Sequence, residues 1–510
     1  MRGMRLCCLL FPFALASRAQ EMVEFQKKIS DFTLPNGLHF LVLEQHDSPV
    51  IAFHTWIRVG SVDDPAGQTG LTHMFEHVAL KGSENLGTRN WTEEKKALDA
   101  VEEALNKADA EARKGQKADR IRVDGLRSQA GQAAEIAQRY AGSGEFRRYL
   151  DENGAINLRV SANVAYTESS YSLPSNRAEL WYFVESQNFS HPVYREFYSE
   201  RSAMMEEYRQ RVEGTPQARL MSELLATAFK AHPYRNPPGG WLSDVANLRR
   251  SEALEFFERY YVPGNITVAI VGDITPVEAK RLADKYFGSI PAKPLPPRVM
   301  TQEPQQIGPK TVVVELQGQP MTMIGYKRPN QFDKDDMAMD LIQVLFSQGR
   351  SGLLYSDLVT EKRVAQQAQA VATNPDGSFP NLFTFFLVPA QGHSVEDVQR
   401  ALEELLRRFE ATPLDPQMVA RAKLLARANM IRRISNNEDL AGLLALHAGS
   451  YGDWRRLFTQ LDELAKLTPG DLQRAASRYF VPTGRTTVYS VLPGQSDAPK
   501  PAERRTGGLQ

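Results

Sequence analysis

Cysteine is almost missing from this chain. There are two in 510 residues, Cys7 and Cys8, both at the very start. Beyond them no thiol is left to form a disulfide framework, to act as a nucleophile or to bind a metal. An excess of one charge is missing too. Sixty-one basic and 61 acidic side chains give a formal net charge of 0 with no basic block, which argues against nucleic acid as a partner. Long apolar runs are scarce: Leu6–Ala16 is too short to cross a bilayer as a helix, and no other run is long enough, so no membrane span is expected. What remains is an ordinary globular composition, 42% hydrophobic and 24% charged, at a length that predicts two or more domains.

Residues 1–19 read as a cleavable secretory signal. Arg2 and Arg5 precede the apolar run, and Ser17-Arg18-Ala19 supplies small residues for a peptidase. The expected product is periplasmic or secreted. Losing Arg2, Arg5 and Arg18 with no acidic residue would take the net charge from 0 to −3.

Asn36-Gly37 between two apolar stretches predicts a β-hairpin, Val50–Val59 a further strand, and the chain from about Leu71 a helix. A helix–turn–strand unit then occurs twice. Arg259-Tyr-Tyr-Val-Pro263 leads into Ile266–Val271, and Arg478-Tyr-Phe-Val-Pro482 into Thr486–Val491, which suggests two homologous halves. The proline-rich stretch 290–310 reads as a linker between domains at 20–289 and 311–493. Residues 92–141, rich in Ala, Glu, Lys and Arg with a break at Gly115, predict an inserted helical hairpin with a solvated structural role. The tail 494–510 is polar and expected to be disordered.

The chemistry concentrates in His73-Met-Phe-Glu76-His77. On a helix, His73 and His77 lie one turn apart and can take adjacent corners of a zinc tetrahedron. Glu76, nearly on the same face, can act as general base on a zinc-activated water without occupying the metal. With no thiolates, the third ligand must be His, Asp or Glu. Glu200 and Glu207, seven apart on one helix face, are the candidates. One can bind Zn2+, and the other can accept the outer N–H of a ligand histidine.

These residues resemble the insulinase/pitrilysin family of inverted-motif zinc peptidases, which includes the mitochondrial processing peptidase. The resemblance rests on Gly60-Ser61, Asp64, Gly67, Gly70–His77 and Lys81-Gly82, on His232-Pro-Tyr234, and on Pro263–Asp273 with Phe287–Pro291. It implies an α+β fold of two homologous domains, each a mostly antiparallel sheet covered by helices. It also implies one zinc per chain, Glu207 as third ligand and Glu200 as supporting carboxylate, with Glu206 turned away. The implied activity is hydrolysis of short or unfolded peptides. Val164-Ala165-Tyr166-Thr167 would be the edge strand that pairs with substrate, although Val164 stands where the family has Asn. Val359 and Gln366 stand where single-chain members carry an Arg and a Tyr that grip substrate. The expected assembly is therefore a dimer, with a metal-free homologous subunit as the candidate partner. A second reading, a non-catalytic binding or assembly subunit, would dispense with the metal.

Overall fold

A computed structural model describes residues 25–494. The expected signal (1–19) and all but the first residue of the expected tail lie outside the described residues. Two sheets organise the chain. The first has six strands: β1 (Ile29–Thr33), β2 (His39–Glu44), β3 (Val50–Ile57), β4 (Ile156–Ala162), β5 (Thr167–Pro174) and β6 (Ile266–Gly272). Their order is β1-β2-β6-β3-β5-β4. The second has five: β7 (Lys310–Glu315), β8 (Thr322–Arg328), β9 (Ala365–Asn374), β10 (Asn381–Pro389) and β11 (Arg485–Val491), in the order β7-β11-β8-β10-β9.

The helices that matter below are α1 (Leu71–Val78), α2 (Trp91–Ala112), α3 (Arg120–Tyr140), α4 (Ala178–Ser190), α5 (Phe197–Tyr208), α6 (Pro216–Ala228), α7 (Arg250–Tyr260), α8 (Asn437–Tyr451) and α9 (Pro469–Tyr479). The repeat seen in the sequence is a repeat of topology. α7 feeds β6, which is parallel to β2 and antiparallel to β3. α9 feeds β11, which is parallel to β7 and antiparallel to β8. The remaining pairings are antiparallel. The hairpin at Asn36-Gly37 pairs Thr33 with His39, and the insertion forms the antiparallel helices α2 and α3. None of the described helices is long and apolar enough to cross a membrane.

The compact units do not follow the two linear domains expected from sequence. The first takes the chain up to Tyr208, then Pro238–Met300 and Arg427–Glu463. The second takes Arg209–Pro237, Thr301–Ala426 and the chain from Leu464. The reason lies in the sheets. Every residue of β6 is buried and β3 is buried but for its first residue, so the first sheet needs cover on both faces. One face packs on α1, α4 and α7, where Trp181 stacks on Phe53 at 4.7 Å. The other is closed by α8, whose Leu440, Leu443 and Leu444 join Leu41, Trp56 and Val271 in one cluster. Gly449 lets α8 approach, since a Cβ there would meet the Trp56 ring at 2.1 Å. Glu438, at the start of α8, accepts hydrogen bonds from Asn157 of β4 and Ser172 of β5. In return, α6 from the first half packs against β7, β8 and β11 in the second unit. Residues 291–309 form no helix or strand, and the boundary between units falls at Met300.

Leu444 is fully buried. Leu444→Ala is expected to destabilise the chain by about 2–5 kcal/mol, read as a lower urea midpoint.

Candidate metal centre

The centre is built on α1, a helix of only eight residues. Its start is fixed from outside. Gly70, the N-cap, sits at φ 99°, a left-handed conformation that suits glycine, and a Cβ there would meet Val245 at 2.8 Å. The buried Asp64 carboxylate accepts from the Gly70 N–H (2.8 Å), the Thr72 N–H (3.0 Å) and the Thr72 hydroxyl (2.6 Å), satisfying donors at the helix start. Burial is the largest influence on Asp64 and pushes its carboxyl up to about 7, while these donors pull it down. Leu71, Met74 and Val78 anchor the inner face of α1 in the core. His73, Glu76 and His77 are left half-buried on the other face.

α5 packs against α1 and brings the acidic residues. Glu207 Oε2 lies 3.3 Å from His77 Nε2 and 3.9 Å from His73 Nε2. One donor atom from each of His73, His77 and Glu207 fits within 4.8 Å of the others, a grouping able to hold a metal ion. Tetrahedral zinc with bonds of about 2.0–2.1 Å separates neighbouring ligand atoms by about 3.3–3.4 Å, so the donor set fits zinc. Glu206 is exposed and outside the set.

Glu200 does not join the donors. Its Oε2 is 3.0 Å from His77 Nδ1. A carboxylate only accepts, so Nδ1 carries the proton and Nε2 presents its lone pair towards Glu207. This contact holds the His77 imidazole above its ordinary pKa and holds Glu200 below its own. Lys81 bridges Glu200 (2.7 Å) and Glu196 (2.8 Å), supplying positive charge to an acidic helix face. Glu76 Oε2 accepts the Ala162 N–H at 2.9 Å, where β4 ends.

The run expected to form an edge strand does not form one. Val164, Ala165 and Tyr166 belong to no strand; they turn the chain between β4 and β5, and Thr167 opens β5. Their polar groups are committed internally. Val164 C=O accepts from Val62 N–H, Tyr166 C=O from Asn163 N–H, and the Thr167 hydroxyl donates to Val59 O. The outer strands of the sheet are β1 and β4, and β4 is the one that ends at Glu76. His54, unassigned from sequence, is buried on β3 and lies 3.2 Å from Glu168.

Sequence reasoning passed over Arg195. Its buried guanidinium reaches Glu94 of α2 at 2.6 Å and the carbonyls of Lys81, Ser83 and Leu86. It thereby ties the loop after α1, the insertion and the approach to α5 at one point. A lone arginine between Val193-Tyr194 and Phe197 was the available signal.

Two sheets of like topology, with an H-x-x-E-H helix against an acidic helix, are the arrangement expected of an inverted-motif metalloprotease scaffold. Comparison with known proteins points the same way. Residues 247–425 match the family described as Peptidase M16 inactive domain, a segment containing none of His73, Glu76, His77 or Glu207. The chain is 26% identical over 475 residues to the zinc protease PqqE of Helicobacter pylori, covering 91% of this chain and 92% of that protein. It is 20% identical over 464 residues to a probable mitochondrial-processing peptidase subunit beta of Arabidopsis thaliana, covering 88% and 75%. Its fold is similar to the solved structure of a protease from Helicobacter pylori, with TM-score 0.76 and 24% identity over 91% of this chain and 99% of that one. Together these likenesses support the insulinase/pitrilysin type of zinc protease as the family this chain resembles.

Glu200→Gln removes the charged acceptor of His77 Nδ1 while keeping its size. Zinc affinity is expected to fall about 10- to 100-fold in competition with a chromophoric chelator.

Proposed function

We propose that this chain is a zinc metalloendopeptidase that hydrolyses bonds in short or unfolded peptides, with His73, His77 and Glu207 holding the ion and Glu76 as general base. The observation that carries this reading is the convergence of those three donors, with Glu76 on the same short helix. Zinc bound there supplies Lewis acidity, polarising the scissile carbonyl and making water a stronger acid.

The chain's own groups do the rest. Glu76 takes a proton from the attacking water and delivers it to the leaving amine nitrogen. Its bond to Ala162 N–H places the base at the end of β4. A peptide that adds to β4 as a further strand is thereby led past Glu76. Such an edge accepts extended chain and rejects folded protein, which supports short or unfolded substrates. Glu200 keeps His77 in the tautomer whose Nε2 faces the metal position.

The proposal extends to assembly. In the second unit Val359 and Gln366 offer neither a cation nor a phenol, and the Gln366 side-chain oxygen accepts from Gln319. We take the working form to be a dimer in which a metal-free homologous subunit supplies the missing grip on substrate. The signal-like sequence of residues 1–19 supports a periplasmic or secreted setting for this activity.

The test is hydrolysis of a quenched-fluorescent unstructured peptide, with zinc measured on the same sample. The expected result is one zinc per chain and zinc-dependent cleavage. Glu76→Gln should lower kcat by about 10²–10⁴-fold while retaining the metal. Absence of stoichiometric zinc would overturn the reading. Zinc without cleavage until a metal-free homologous chain is added would support the paired form.

A further inference from the structure

Away from the metal centre, the first unit holds a second cavity of about 510 Å³ where the inserted hairpin meets the body. Its two walls differ in chemistry. The insertion contributes an apolar wall, with partly exposed Leu105 from α2 and Ala134 from α3 over the buried Val101 and Ala130. The body contributes a cationic wall, Arg201 from α5 and Arg249 just before α7. Exposed Arg127 of α3 adds a third guanidinium among the lining residues, against one carboxylate, Asp109.

The arginines are only partly used. Arg249 is 13% exposed and pairs with Asp109. Arg201 donates one N–H to Leu248 O at 2.8 Å and lays its guanidinium 5.0 Å from the centre of the Tyr198 ring. That leaves most of its five N–H donors for another acceptor. Burial, and after the favourable Tyr198 contribution the charge of Arg249, press Arg201 below its ordinary pKa. Half-buried cations beside one another call for an anion, and a planar carboxylate matches a guanidinium fork. A bare inorganic anion would leave the partly exposed Leu105 and Ala134 uncovered. The volume suits a small organic molecule.

We propose that this cavity binds a carboxylate carried on an apolar body, its head on Arg201 and Arg249 and its body against Leu105 and Ala134. A fatty acid and the C-terminus of a leucine-rich peptide share this chemistry. A ligand so placed bridges the insertion and α5, the helix that carries Glu200 and Glu207.

Calorimetric titration of the full, zinc-loaded chain tests the site, with submicellar decanoate and N-acetyl-leucyl-leucine as probes and inorganic phosphate as the purely polar anion. The expected result is saturable binding of one or both apolar carboxylates, one per chain, with no comparable heat from phosphate. Decanoate alone would identify the lipid source, and the dipeptide alone the peptide source. Arg127→Glu reverses the exposed rim charge, and Gly131→Phe fills the cavity from a position where a Cβ meets nothing within 4 Å. Each should weaken binding by about tenfold or more with the melting temperature preserved. Both positions lie outside the metal centre, so these losses exclude a carboxylate bound to zinc. If Gly131→Phe fails to fold, Arg127→Glu decides alone. No binding of either probe, equal binding of phosphate, or binding unchanged in Arg127→Glu would overturn the proposal.

Discussion

Two imidazoles one turn apart on an eight-residue helix cannot by themselves define a metal site. A helix so short is marginal in water, and its histidines would sample many rotamers. The site depends on the seating of α1 against α5. Asp64 caps α1 from the loop before it. Met74 and Val78 bury its inner face. Arg195, at the approach to α5, grips the carbonyls of the loop that follows α1. The distance between the His77 and Glu207 donors is set by these contacts.

Charge is the second consequence of that seating. Glu196, Glu200 and Glu207 lie along or just before one helix, and Lys81 is the cation that meets two of them. Like charges at helical spacing repel. The arrangement stores a demand for positive charge beside the histidines, which a divalent ion would answer in the proposed reading. The charges that would orient the ligands are then also the ones that would attract it.

Much of this was legible in the sequence, for identifiable reasons. Asn36-Gly37 specified a hairpin through its turn chemistry, and the pair of histidines with an intervening Glu specified a helix face through its spacing. The doubled Val-Pro turn before an apolar strand revealed the topological repeat. What was missed depends on distant packing. Nothing local in Asn163–Thr167 says that its carbonyls are taken by the loop at Ser61 and Val62, so a turn was read as an edge strand. Likewise, Leu440, Leu443 and Leu444 have the periodicity of any buried helix, and nothing in that pattern names the sheet they cover.

The exchanged helix bears on how the protein is made. Residues up to Tyr208 contain every proposed ligand, yet the sheet beneath them stays bare on one face until Arg427–Glu463 has left the ribosome. Glu438, which secures Asn157 of β4, arrives in that same late segment. A nascent or truncated chain can hold all its ligands and still lack the scaffold that aligns them. In a protein proposed to cut unfolded peptides, synthesis delivers the ligand-bearing segment long before the helix that completes its scaffold.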